Sequence, residues 1–224
     1  MGLESIRKRI TRAFNKKLGI SRKDAKRLLP IKDSHGKLYE AYILAHVCGE
    51  LKNKEGVSLK LSKGSKISFK QKGGPINRKY PYIEVIKSLK TIGEIHLDVE
   101  FMTLSSMNAV SPNERGYYHE LDIAMFKPNL PNLARPKHDE VYLAIECKNT
   151  AMKKSYLREV LGLRRELSFL QTFTYSTIFQ NWPKDELGVN PASCIFLYCS
   201  DRSVEKYSDP GILHEIEFKY MKIK

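Results

Sequence analysis

The sequence predicts a mixed α/β sandwich, a central β-sheet with helices packed against it, and three observations predict it. Residues 34–52 and 153–170 carry apolar side chains at helical spacing. Residues 118–126 alternate apolar and polar as a half-buried strand does. Residues 192–200 form a continuous apolar run of the kind that a strand buried on both faces requires.

The elements follow in chain order. Ile6, Ile10, Phe14 and Leu18 recur at helical spacing over residues 3–18, while Arg7, Lys8, Arg12, Lys16 and Lys17 occupy the other faces. A second short helix over 21–29 stops before Pro30, because the residue preceding a proline is driven out of the helical region. Residues 1–30 are therefore expected to form a basic N-terminal helical arm, and 31–224 the main domain. The helix at 34–52 opens that domain. A Lys-rich strand insert occupies 52–90, with strands expected at 58–61, 66–71 and 82–86 and a break at Gly73-Gly74-Pro75. Strands are expected at 92–104, 118–126 and 140–148, with Pro128, Pro131 and Pro136 marking the loop between the last two. In the helix at 153–170, Leu157, Val160, Leu161, Arg164, Leu167 and Leu170 lie on related faces. Strands at 192–200 and 213–221 close the chain, the last with Ile216, Phe218 and Tyr220 on one face.

Composition narrows the function classes. Hydrophobic residues make up 42% and charged residues 29% of the 224, which fits a soluble globular chain. No apolar run is long enough to cross a bilayer, and the first residues lack the apolar centre of a signal peptide, so a cytoplasmic protein without a membrane partner is expected. Cys48, Cys147, Cys194 and Cys199 sit among apolar neighbours without metal-finger spacing and read as buried free thiols. The net charge of +14 is unevenly placed. Residues 1–27 carry ten Lys or Arg against Glu4 and Asp24, and residues 52–90 carry eleven against Glu55 and Glu84. Two basic flanks around a slightly acidic centre favour a polyanionic partner.

The chemistry concentrates in two strands. In VYLAIECK, residues 141–148, alternation sends Val141, Leu143, Ile145 and Cys147 one way and Tyr142, Ala144, Glu146 and Lys148 the other. An acid and a base at the end of an apolar strand are costly unless they pair or bind something. In YYHELDIAMF, residues 117–126, the same reasoning groups Leu121, Ile123 and Met125 on one face and Glu120, Asp122, Ala124 and Phe126 on the other. If the two strands pair, Asp122 meets Glu146 and Lys148 on one surface, and two carboxylates held together call for a divalent cation. Oxygen ligands suit Mg²⁺, for which Mn²⁺ can substitute. Upstream, Glu40 shares a helical face with Ile43, Leu44, Val47 and Leu51, where an acid needs a reason. An E-x-K triplet alone is more often a surface ion pair, so a structural cluster of ion pairs in an unrelated α/β protein is the competing account.

Asp122, the 23-residue gap, Glu146-Cys147-Lys148 and the upstream Glu40 together resemble the PD-(D/E)XK nuclease superfamily. Leu121 stands where the name of the pattern has proline. The resemblance implies a restriction-endonuclease-like central mixed β-sheet flanked by helices. It also implies an Mg²⁺-dependent endonuclease that hydrolyses DNA phosphodiester bonds in defence, restriction, recombination or transposition. By the same resemblance, Asp122 and Glu146 are metal ligands and the backbone carbonyl of Cys147 is a further one. Glu40 is a second-metal or water-mediated ligand. Lys148 orients or deprotonates the attacking water.

Substrate contacts are expected from Lys63, Lys66, Lys70, Lys72, Arg78 and Lys79 in the basic insert and from Lys153 and Lys154 after the motif. Arg158, Arg164 and Arg165 either reach a phosphate or lie on an ordinary helix surface. Tyr80, Tyr82, Tyr117 and Tyr118 either stack on bases or pack. DNA is the expected partner, ahead of RNA, and a second copy or a partner subunit would supply specificity. The rival function is a nuclease-like module that grips nucleic acid without cutting it.

Overall fold

The computed structural model describes residues 2–29, 35–66, 68–108 and 115–223. Helix α1 (Leu3–Leu18) buries the four apolar residues that its spacing singled out, and it packs through them onto α3 (His35–Lys54). Helix α2 (Arg22–Arg27) is capped by Ser21, whose hydroxyl accepts from the Asp24 N–H. Strands β1 (Ser58–Ser62), β2 (Tyr82–Lys87), β3 (Lys90–Met102), β4 (Tyr118–Phe126) and β5 (Val141–Lys148) follow. Then come α4 (Lys154–Leu167), β6 (Phe169–Ser176), β7 (Glu186–Asn190), β8 (Cys194–Cys199), α5 (Ser208–Leu213) and β9 (Ile216–Tyr220).

Seven strands form one sheet in the order β1-β2-β3-β4-β5-β8-β9. The first five pair antiparallel, whereas β5, β8 and β9 run parallel. Helix α4 supplies the crossover that a parallel β5–β8 pair needs. Its buried Val160, Leu163 and Leu167 lie in one apolar layer with Ile195 and Leu197, and α1 and α3 cover the other layer with Leu143, Ile145 and Phe196. This is the α/β architecture that the sequence predicts, a central mixed sheet flanked by helices. Among the described residues no helix is long and apolar enough to cross a membrane.

Three differences from the sequence reading have physical causes. Residues 66–71 are not a strand among the described positions, because the segment folds back in a loop with Lys66 N–H bonded to the Lys79 carbonyl. The helix expected to reach 170 ends at Leu167, where Ser168 turns extended, so Phe169 and Leu170 instead open β6, which pairs with β7 in a hairpin apart from the main sheet; Leu213, expected to open the last strand, ends α5. The third concerns faces. Ile95 and Leu97 lie in the α3 layer, yet Val99 and Phe101 lie in the α4 layer. Residues two apart in a regular strand share a face, so β3 reverses between Leu97 and Val99. The reversal falls on Asp98, whose φ of 52° is in the left-handed region. Strand β4 does the same, with Leu121 in the α4 layer and Ile123 and Met125 in the α3 layer, so Asp122 sits at its turnover. In β5, Val141 leaves the face of Leu143, Ile145 and Cys147 because a register shift opposite Met125/Phe126 inserts one residue.

Candidate active site

Register places three acids in a row. Leu97 pairs with Ile123 and Val99 with Leu121, so Asp98 falls opposite Asp122. Ile123 pairs with Ile145, so the next step along brings Asp122 level with Glu146. Strand pairing stops at Ile123–Ile145, and the Asp122 Oδ2 instead accepts from the Cys147 N–H at 2.8 Å. The fourth acid descends from α3. Glu40 is 8% exposed, and its carboxylate lies with those of Asp98 and Asp122, one oxygen of each within 4.8 Å of the others.

Among the described residues this trio, Glu40, Asp98 and Asp122, is the group able to hold a metal ion. Glu146 lies outside it and is paired with Lys148 at 3.0 Å. Lys148 also reaches Glu159 of α4 at 2.7 Å and lies over the Tyr156 ring. On the other side of Asp122, Lys37 plays the matching part, one helical turn before Glu40. Its ammonium bonds to Glu40 at 2.8 Å and to Asp98 at 2.5 Å. Asp122 thus stands between two lysine-bridged carboxylate pairs.

Burial is the main influence on the protonation of these acids, and it shifts all four upward. Burial, then the charge of Asp122, pushes the Glu40 carboxyl up to about 8, although Lys37 opposes the rise. Burial pushes Asp98 up to about 6 against the same lysine. Asp122 is raised by burial, with the Cys147 N–H pulling it back. Glu146 is raised well above the usual carboxylate range by burial and then by Asp122. Burial works against the charge on Lys37 and Lys148, but the carboxylates around each outweigh it and hold both ammonium groups on their protons.

One atom tests whether a cation fits. Asp98 has no exposed surface, and its Oδ2 has no hydrogen-bond partner among the described residues. A buried carboxylate oxygen without a partner is costly. An all-oxygen set of three carboxylates suits a hard divalent cation such as Mg²⁺ or Mn²⁺. The backbone contact between Cys147 and this site runs through its N–H to Asp122.

Other expected contacts divide clearly. Lys63, Lys66, Lys72, Lys79, Lys153 and Lys154 are exposed. Lys70 and Arg78 are engaged inside the fold. Lys70 donates to the carbonyls of Gly74, Pro75 and Asp98 at 2.7, 3.0 and 2.6 Å, fixing the backbone of the reversed residue. Arg78 pairs with Glu94 at 2.9 Å and lies over Tyr82, which itself stacks on His96. Arg164 is buried, donating to the carbonyls of Ser193, His214 and Glu215. Arg158 and Arg165 line a cleft of about 450 Å³ with His119, Glu120 and Glu159, next to the Lys148 pair.

Asp98 and Lys37 are the residues that motif reasoning passed over. The signal was present in β3, where Glu94, His96, Asp98 and Glu100 alternate with Ile95, Leu97, Val99 and Phe101.

No family model and no curated protein matches the chain. Among solved structures, that of NucC from P. aeruginosa ATCC27853 in its cAAA-bound form is similar over 96% of this chain and 72% of that one, at 9% identity and a TM-score of 0.34.

Proposed function

We propose that this chain is a divalent-metal-dependent endonuclease that hydrolyses DNA phosphodiester bonds. The observation that carries the reading is the position of Asp122. It lies beside the Glu40 and Asp98 carboxylates and level with the Glu146–Lys148 pair, so acids and a base from α3, β3, β4 and β5 meet in one place. Asp122, Glu40 and Glu146, with the Cys147 carbonyl, are the proposed metal-binding groups. A bound Mg²⁺ or Mn²⁺ would supply charge stabilisation at a phosphoryl oxygen and a lowered pKa for water. Lys148 would place its ammonium against the scissile phosphate and orient the attacking water, and Glu159 would hold that ammonium between turnovers. The exposed lysines of 63–79 and Lys153 and Lys154, with Arg158 and Arg165 in the adjoining cleft, are the proposed contacts to the DNA backbone.

Plasmid nicking with and without Mg²⁺, for wild type and Asp122→Ala, tests the proposal. Metal-dependent nicking by wild type and its loss in the variant are expected, with a trace restored by high Mn²⁺. No cleavage of DNA or RNA in any metal, with tight metal-independent binding, would sink it. That outcome would favour the second reading, a non-cleaving nucleic-acid-binding module. The observation on its side is that Lys148 is already held by two carboxylates.

A second copy of the chain is the proposed partner. Residues 168–183 carry no charged side chain, and within them Phe169, Leu170 and Phe173 of β6 are exposed, Phe173 at 75%. Copies with a net charge of +14 repel one another, so an uncharged apolar surface is where they can meet.

A further inference from the structure

The resting state of the carboxylate trio shows how a cation would be admitted. Of the three carboxylates Glu40, Asp98 and Asp122, the first two share one ammonium, that of Lys37. That ammonium satisfies one oxygen of Glu40 and one of Asp98, and Asp98 Oδ2 has no partner among the described residues. One ammonium brings a single charge and three donors, whereas a hard divalent ion brings two charges and accepts six or more oxygen ligands. The Lys37 side chain is a quarter exposed, whereas that of Asp98 has no exposed surface. Asp98 is also held from behind. Its left-handed φ is unusual for a side-chain-bearing residue, and Lys70 grips its carbonyl. Backbone strain of this kind persists only where the surroundings over-determine it. Of the two partners, Asp98 is the more firmly held.

We propose that Asp98 is a ligand of the metal site and that Lys37 is its exchangeable counter-ion. In the metal-free chain the Lys37 ammonium occupies the gap between Glu40 and Asp98. A divalent cation takes both carboxylates, and the ammonium leaves for the open side of α3, where it adds a positive charge beside the site. The inference rests on the metal-dependent reading above. It deepens that reading, because it assigns an acid outside the sequence motif to the site and couples metal entry to the movement of one lysine.

The test uses the full chain and needs no turnover. Lysine acetylation footprinting, read by mass spectrometry, is run without metal and with Mg²⁺ or Mn²⁺, alongside calorimetric titration of Mn²⁺ into wild type, Lys37→Met and Asp98→Asn. Labelling of Lys37 is expected to rise when metal is added, the reverse of ordinary ligand protection. Lys37→Met is expected to bind Mn²⁺ more tightly than wild type, since no resident cation must leave. Asp98→Asn is expected to lose affinity on the order of tenfold to a hundredfold. Both variants are checked for native circular dichroism, and Lys37→Arg, which keeps the charge, is expected to bind Mn²⁺ as wild type does or more weakly. Metal binding with Lys37 labelling unchanged or reduced would overturn the exchange while leaving the nuclease reading intact. Unchanged Mn²⁺ affinity in Asp98→Asn would remove Asp98 from the site. Absence of metal binding in wild type would overturn this inference and the metal-dependent reading together.

Discussion

Replacing Asp98 by Asn separates a binding residue from a structural one, because the two roles predict opposite signs for stability. Asn keeps the shape of the side chain and tolerates the left-handed φ of 52° at this position. It removes only the charge. The Asp98 carboxyl is pushed up to about 6, burial outweighing the help from Lys37, whereas its ordinary value is 3.8. The folded chain therefore holds this proton more tightly than the unfolded chain does. Below the ordinary value both states are protonated and the charge costs nothing. As pH rises from about 4 to 6 the folded state is progressively penalised, and above that the penalty is constant. Each tenfold gain in proton affinity is worth about 1.4 kcal/mol, so the full penalty is about 3 kcal/mol. For a chain of this size that corresponds to a rise in Tm of roughly 6–12 °C for Asp98→Asn at neutral pH without metal. The assay is thermal unfolding of both proteins in EDTA from pH 4 to pH 8. The curves should meet near pH 4, diverge up to about pH 6 and stay apart above it, with the variant the more stable and, in the same preparation, less stabilised by Mg²⁺ than wild type. A variant less stable than wild type at pH 7 would show that the Lys37–Asp98 pair is a net support of the fold and refute the reasoning.

Four further outcomes are expected. Lys148→Ala should abolish nicking while DNA affinity, set mainly by the many other basic residues, stays close to wild type in a filter-binding assay; equal cleavage by both proteins would place the activity elsewhere. Reversing the charge of Lys63, Lys66, Lys72 and Lys79 together should flatten the dependence of log affinity on log salt by about 0.9 for each phosphate no longer neutralised, and an unchanged slope would mark these lysines as solvated surface. Lys70→Met should weaken Mn²⁺ binding more than DNA binding, because its ammonium secures the Asp98 carbonyl; the reverse order, measured by calorimetry and filter binding, would make it a substrate contact. Phe173→Asp should lower the mass seen by sedimentation if copies meet through β6, and wild type sedimenting as a monomer at micromolar concentration would end that proposal.

The two kinds of acid differ in how far the sequence exposes them. Glu40 was legible because a helix face is defined by several turns at once. Ile43, Leu44, Val47 and Leu51 locate the buried stripe, and the charge within it stands out. The helices at both flanks, the alternating β4 and the apolar β8 were legible for the same reason, since each repeats its pattern over its whole length. A strand offers only alternation, and alternation holds only while the backbone stays regular. Strand β3 breaks it at Asp98, so alternation does not single that residue out from Glu94 and Glu100, although Glu94 pairs with Arg78, Glu100 with Arg135, and Asp98 has no exposed surface at all. The same reversal sends Leu121 and Ile123 to opposite layers, where uniform alternation put them together.

The position of the break links the fold to the candidate site. A carboxylate pointing squarely into the α3 or the α4 layer would be surrounded by apolar side chains and would be expected to stay protonated. Asp98 and Asp122 lie at the turnover between layers, where β4 and β5 stop pairing, and α3 brings Glu40 and Lys37 to them. The insert does more than carry charge. Its loop crosses β3, with the Gly74 carbonyl accepting from the Glu100 N–H and Gly73 so close to Glu120 that any Cβ there would collide with the carboxylate. Lys70 then ties the loop to Asp98. The segment proposed to grip the phosphate backbone is therefore anchored on the residue proposed to bind the metal, so engaging DNA on its exposed lysines bears directly on the geometry of the site.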